Sequence, residues 1–212
     1  MEQLIVKNVS QKFKDKELFS DVNLELSSGH IYGLVGDNGS GKTILMKSIL
    51  GLIPLNTGEI WMDSDRIGKD IEFSLNTGFL IEIPSFILDY NQYQNLKLLS
   101  DINGKIEKQG ILNAIESVGL DPNNKEKVRN FSLGMKQRLG VAQAIMENPE
   151  LLILDEPMNS LDKSGVILIR ELIMSLKQEG RIILITSHNS EDIDYLCDYV
   201  FEIKEGSIQQ SF

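Results

Sequence analysis

Gly36-Asp37-Asn38-Gly39-Ser40-Gly41-Lys42-Thr43 decides the reading of this chain. The eight residues fit G-x-x-x-x-G-K-[ST], the pattern of a phosphate-binding P-loop. His30-Ile31-Tyr32-Gly33-Leu34-Val35 precedes them as a short apolar strand, and Ile44-Leu45-Met46-Lys47-Ser48-Ile49-Leu50 follows with helical spacing before Gly51. The glycines therefore lie in a strand-to-helix turn. Backbone N–H groups point into such a turn, and a helix starting at Lys42 adds the positive end of its dipole, so a polyphosphate is the fitting ligand. Lys42 is expected to reach the β- and γ-phosphates, and Thr43 to offer its hydroxyl to Mg²⁺ arriving with a nucleoside triphosphate. A glycine-rich turn matching by chance is the alternative, and the flanking strand and helix weaken it.

Further along, Leu151-Leu152-Ile153-Leu154-Asp155-Glu156 is an apolar strand ending in two carboxylates. Acids there are costly to bury unless metal or water chemistry uses them. With a P-loop upstream, Asp155 is expected to hold Mg²⁺ through water and Glu156 to polarise the water that attacks the γ-phosphate. Arg181-Ile182-Ile183-Leu184-Ile185-Thr186 is another buried strand, leading to His188 as a γ-phosphate contact. Thr77-Gly78-Phe79-Leu80-Ile81 delivers Glu82 to a strand end, where ligands collect in open parallel sheets. Asp162 caps a helix with Val166, Ile169, Ile173 and Leu176 on one face and Gly180 at its end.

From Tyr93 to about Met146 the apolar residues recur at helical spacing, as an inserted helical lobe. Within it, Phe131-Ser132-Leu133-Gly134-Met135-Lys136-Gln137-Arg138 opens a helix. Ser132 reads as a second anion site or as an ordinary N-cap. Ahead of the P-loop, residues 4–9 and 22–26 read as strands joined by a charged turn at Lys14-Asp15-Lys16, and residues 207–212 read as a polar tail.

Composition narrows the function. The 212 residues fit one domain, residues 1–212, with a core lobe of about 1–83 and 148–212 and a helical lobe of about 84–147. Twenty-one basic against 31 acidic side chains give a net charge of −10, so nucleic acid is not an expected partner. A single cysteine, Cys197, excludes an internal disulfide and a cysteine metal cluster. No signal peptide or bilayer-length apolar run is present, which leads to an expected cytoplasmic location with membrane contact through a partner.

Taken in order, these motifs resemble the nucleotide-binding subunit of an ABC transporter over nearly the whole chain. Residues 36–43 look like its Walker A loop, 151–156 its Walker B strand with the catalytic glutamate, 160–162 its D-loop and His188 its switch histidine. The resemblance implies that Phe13 stacks on adenine, that the loop to Ile44 binds ATP, and that Glu82 stands where the metal-binding Q-loop glutamine is usual. Ser132, Gly134 and Met135 fall on the family signature, with Leu133 and Met135 replacing its usual pattern of Gly and Gly or Gln. Ile44 replaces a second Thr, while Met158 and Lys163 replace Thr and Pro around the D-loop. The family implies a head-to-tail, nucleotide-dependent homodimer or heterodimer with a paralogue, membrane-spanning permease partners, and ATP and Mg²⁺ as ligands. The segment 79–84 together with 132–138 resembles the bacterial branch that exports peptide antibiotics such as bacitracin and lantibiotics or gives immunity to them.

The expected fold is an α/β P-loop ATPase with a mostly parallel sheet, an antiparallel side sheet and an inserted helical subdomain. Three rivals stand beside it: a soluble ABC ATPase of chromosomes or ribosomes, a nucleotide sensor without hydrolysis, and a kinase or GTPase. The first needs a long coiled-coil arm or two cassettes. The second leaves Glu156 and His188 without a task. The third leaves residues 132–138 unexplained and lacks the guanine motif Asn-Lys-x-Asp.

Overall fold

A computed structural model describes residues 1–13 and 16–210. In chain order the elements are β1 (Gln3–Phe13), β2 (Lys16–Ser27), β3 (His30–Gly36), α1 (Lys42–Ile49), β4 (Thr57–Met62), β5 (Asp65–Arg66) and β6 (Thr77–Leu80). They continue with α2 (Gln92–Asn103), α3 (Lys108–Ser117), a 3₁₀ turn at Val128–Asn130, α4 (Leu133–Ile145), β7 (Leu151–Leu154) and α5 (Lys163–Gln178). β8 (Ile182–Ile185), α6 (Ser190–Leu196), β9 (Tyr199–Lys204) and β10 (Ser207–Gln210) close the chain.

The strands form two sheets, ordered β2-β1-β4-β5 and β10-β9-β3-β8-β7-β6. The first is antiparallel throughout, and the second is parallel except for its β9–β10 edge. This is the expected α/β arrangement, a parallel core with an antiparallel side sheet. The 207–210 tail departs from expectation: it pairs with β9 across the Glu205-Gly206 turn, its polar residues suiting an edge strand with one open side. β5, two residues long, carries too little periodicity to be read in advance. Of the expected charged turn, Lys14 and Asp15 lie outside the described residues.

β7 and β8 read as unbroken apolar runs because both faces of the sheet are covered. Leu151 and Ile153 enter the core against α1 and the side sheet, while Leu152 and Leu154 enter the core against α4 and α5; all four are completely buried. Each such side chain contributes roughly 1.5–3 kcal/mol relative to exposure. β6 lies against α4 at Gly78, where a Cβ would stand 1.8 Å from the Ala144 carbonyl oxygen, so glycine alone allows this approach. Cys197 packs against the core that holds Leu152 and Leu154, and burial pushes its thiol pKa up to about 12, leaving it inert.

The parallel strands β3, β8, β7 and β6 stand side by side, so the segments that leave their C-terminal ends gather along one edge. Those segments begin at Asp37, Thr186, Asp155 and Ile81.

Candidate functional site

The loop from β3 to α1 turns sharply through three glycines with positive φ. Gly36 (φ 141°) would set a Cβ 2.5 Å from the Ile203 carbonyl, and Gly41 (φ 107°) would set one 2.9 Å from the Phe19 ring. Gly41 is also the N-cap of α1 and brings no side chain to its N–H groups, which are left for a ligand. The Lys42 ammonium donates to the carbonyls of Gly36 (2.7 Å) and Asp37 (3.0 Å), and so lies across the mouth of the loop. The buried Ser40 hydroxyl has no partner among the described residues.

Two strands away, Asp155 accepts from Thr43 Oγ1 at 2.9 Å through one oxygen and from Thr186 Oγ1 at 2.6 Å through the other. Glu156 donates its N–H to the same Thr186 hydroxyl at 2.9 Å. One carboxylate oxygen of Glu156 accepts from the His188 N–H at 3.2 Å; the other lies 3.3 Å from His188 Nε2 without a hydrogen bond. Burial raises the Glu156 pKa above the ordinary glutamate value, and neighbouring Asp155 adds to the rise, against the lowering effects of His188 and Lys42.

A cleft of about 470 Å³ joins these parts. Phe13, Leu18, Asn38, Gly39, Gly41, Lys42, Thr43, Ile44, Asp155, Glu156 and His188 line it. Phe13, one of these lining residues, is 65% exposed. Thr43 and Asp155 supply an adjoining hydroxyl and carboxylate, while no cluster of three or more acidic, histidine or cysteine side chains placed for a metal occurs among the described residues. A hard cation here would need ligand oxygens to complete its shell.

Other sequence-predicted residues lie elsewhere. Glu82 pairs with Lys47 at 2.6 Å and lines a second cleft of about 220 Å³ with Leu133, Gln137, Asn159, Ser160, Asp155 and Glu156. The two acids thus form a wall between the clefts. Ser132 caps α4, accepting from Met135 N–H at 3.2 Å, and does not line the larger cleft. Gly134 permits α4 to approach Ser160, where a Cβ would meet the carbonyl at 2.8 Å. Asp162 caps α5, and the Gly165 N–H bond lowers its pKa. His30 does not line the larger cleft; its Nδ1 is 3.0 Å from the Ser28 carbonyl oxygen and its ring lies beside Tyr199.

Sequence reasoning gives no task to Thr186, Lys47 or Gln137. Thr186 leaves a signal, one polar residue ending a wholly apolar strand. The partners of Lys47 and Gln137 are distant in sequence, and no local pattern marks them.

Comparison with known proteins follows the same lines. A family model described as ABC transporter matches residues 19–159. An uncharacterised ABC transporter ATP-binding protein, YybJ of Bacillus subtilis (strain 168), is 41% identical over 206 residues, covering 97% of this chain and 94% of the relative. The chain belongs to the ABC transporter family. This ABC protein is accordingly a nucleotide-binding ATPase that energises a transporter. Among its relatives, the lantibiotic transport ATP-binding protein SrtF of Streptococcus pyogenes is 36% identical, covering 97% of this chain and 88% of SrtF. The bacitracin transport ATP-binding protein BcrA of Enterococcus faecalis is 37% identical, with 98% and 68% covered. A solved structure of an ATP binding subunit of an ABC transporter superposes with TM-score 0.87 at 23% identity, covering 98% of this chain and 90% of that one. No helix among the described residues is long and apolar enough to cross a membrane.

Proposed function

We propose that this ATPase powers a bacterial exporter, with a peptide antibiotic as the transported class. Its location would then be cytoplasmic, on the inner face of the membrane, held by membrane-spanning permease subunits. The 470 Å³ cleft would take one ATP. The observation that carries the reading is the convergence there of the phosphate loop with Asp155, Glu156 and His188. The peptide-antibiotic class rests on the similarity to SrtF and BcrA.

In this reading Phe13 stacks on adenine, and the N–H groups of residues 36–44 hold the phosphates. Lys42 turns from the loop carbonyls to the β- and γ-phosphates, an exchange of neutral acceptors for charged ones that favours the bound state. Thr43 and Asp155 would hold Mg²⁺, with Glu82 as a further oxygen once it leaves Lys47; the cation supplies charge neutralisation at the phosphates. Glu156 polarises the water and His188 contacts the γ-phosphate. Ser132, Gly134 and Met135 lie off the cleft of their own chain, which suits a second subunit bringing its α4 start to this ATP in a head-to-tail dimer, with Asp162 and its loop between them. The lobes would divide at about residues 84 and 147.

Equilibrium binding and steady-state hydrolysis test the assignment together. Lys42→Ala is expected to weaken ATP binding by about tenfold or more, the loss of a charge-assisted contact of roughly 1.5–3 kcal/mol. Glu156→Gln is expected to bind ATP normally, to lose roughly 10²–10⁴-fold in turnover, and to elute as a dimer with ATP and Mg²⁺. Unchanged affinity in the first variant or wild-type turnover in the second would remove the corresponding residue from the mechanism.

A further inference from the structure

α4, the helix that opens at Ser132, is tied to the backbone of Glu156 by one buried side chain. Gln137 is 7% exposed, and its Nε2 donates to the Glu156 carbonyl at 2.9 Å. Glu156 has φ 52°, a left-handed conformation that costs a non-glycine residue free energy and persists only where neighbours enforce it. Beside the Asn159 N–H of the same turn, which donates to the Glu156 carbonyl at 3.1 Å, two side chains from other elements do so. Thr186 Oγ1 holds the N–H of Glu156, and Gln137 holds its C=O. The side chain between these two grips is aimed by them, since a rotation about φ or ψ swings the carboxylate as a whole.

A second contact belongs to the same junction. Gly134 lies one helical turn before Gln137, on the same face of α4, and there the helix meets the carbonyl of Ser160, another left-handed residue (φ 64°). α4 therefore touches the 156–160 turn at both of its strained positions. A shift of this helix along or around its axis moves the Glu156 carbonyl with it.

We infer that Gln137 is a positioning residue for hydrolysis, holding the Glu156 backbone and so coupling the orientation of α4, with the Ser132 turn at its start, to the aim of the carboxylate in the same chain. The inference rests on the proposed role of Glu156 in polarising water. Gln137 does not line the 470 Å³ cleft, so its action passes through Glu156. The chemistry asks for a donor from α4: an apolar side chain of similar length leaves the carbonyl with the Asn159 N–H of its own turn alone, at 3.1 Å, and unties it from the helix, while a carboxylate sets acceptor against acceptor.

Steady-state ATPase and equilibrium ATP binding on the purified full chain test this with Gln137→Met, Gln137→Glu, Glu156→Gln and the Gln137→Met/Glu156→Gln double variant. Gln137→Met is expected to lose roughly 10- to 100-fold in kcat, the cost of a small misplacement of a reacting group, with KM and ATP affinity nearly unchanged. Gln137→Glu should lose at least as much. The double variant should be no slower than Glu156→Gln alone, because a carboxamide there has nothing left to aim. Wild-type kcat in Gln137→Met overturns the inference, as does a full further loss in the double variant. Loss of folding or of ATP binding in both Gln137 single variants assigns Gln137 to the architecture instead and overturns it too. Wild-type turnover in Glu156→Gln is a separate result, which removes the underlying role of Glu156 and the inference with it.

Discussion

The Lys47 ammonium on α1 lies 2.6 Å from Glu82 Oε1, just beyond β6. Lys47 sits one helical turn beyond the residues that begin α1 at the phosphate loop, so the pair joins that helix to the end of the edge strand. It also gives the carboxylate a counter-charge that a glutamine would not need. Glu82 is well exposed, its side chain 63% accessible, so the pair contributes about 0–1 kcal/mol and weakens with salt.

In its proposed role as a metal ligand Glu82 would have to leave Lys47, and the Mg²⁺ dependence of the ATPase should report the competition. Glu82→Gln is expected to move the half-saturating Mg²⁺ upward by up to about fivefold, the size of a ~1 kcal/mol interaction, with ATP affinity changed less. Glu82→Ala should move it further, since the oxygen is lost as well. Lys47→Met should move it down by freeing the carboxylate. Superimposable curves for wild type and all three variants would leave Glu82 with the lysine as its only task.

The pH profile should carry the mark of Glu156. Burial raises its carboxyl pKa above the ordinary glutamate value, and in the role proposed for it only the ionised form can polarise water. Activity is therefore lost as pH falls through that raised value, and the acid limb of kcat should lie above about 4.3, the value of an unperturbed glutamate. Stability runs the other way. The folded state holds the proton more tightly, so this group's contribution declines as pH rises from the unfolded value through the folded one. An acid limb at or below the ordinary glutamate value in an otherwise stable enzyme would contradict this environment for Glu156.

Gly78→Ala tests the junction of β6 with α4. Its Cβ would stand 1.8 Å from a backbone oxygen, which cannot swing aside as a side chain does, so β6 must part from α4. The cost expected is about 3 kcal/mol, or roughly 6–12 °C in Tm for a chain of this length. A thermal melt within about 1 °C of wild type would show that the two elements can separate freely.

How far the sequence foretells this molecule depends on the range of the signal. The fold class is legible because a phosphate-loop turn and two wholly apolar strands are local patterns, each set by sterics or burial within about ten residues. β10 is not legible, since its polar residues form a strand only because β9 presents a free edge. The larger cleft follows from strand order, which brings residues 36–43, 155–156 and 188 to one edge. Glu82 reads from sequence as one more oxygen at that edge, and only the tertiary structure gives it Lys47, 35 residues away. Gln137 is hidden for the same reason: a glutamine within a helix announces nothing until the carbonyl it meets is known.

β7 divides its side chains between the two cores, and this sets a reading frame for the acids that follow. Leu151 and Ile153 share a side with Asp155, which meets Thr43 on α1; Leu152 and Leu154 precede Glu156, whose carbonyl meets α4. Parity along four leucines and isoleucines thus turns the Asp155 carboxylate toward α1, while the left-handed turn at Glu156 (φ 52°) gives its carbonyl to α4 and its carboxylate to His188. Deleting one of those four would leave the composition almost untouched yet put the longer acid at the register position that faces Thr43 and the shorter one on the opposite side of the strand. In this strand, counting matters more than chemistry: substitutions among apolar residues are tolerable edits, and a change of one in length is a frameshift.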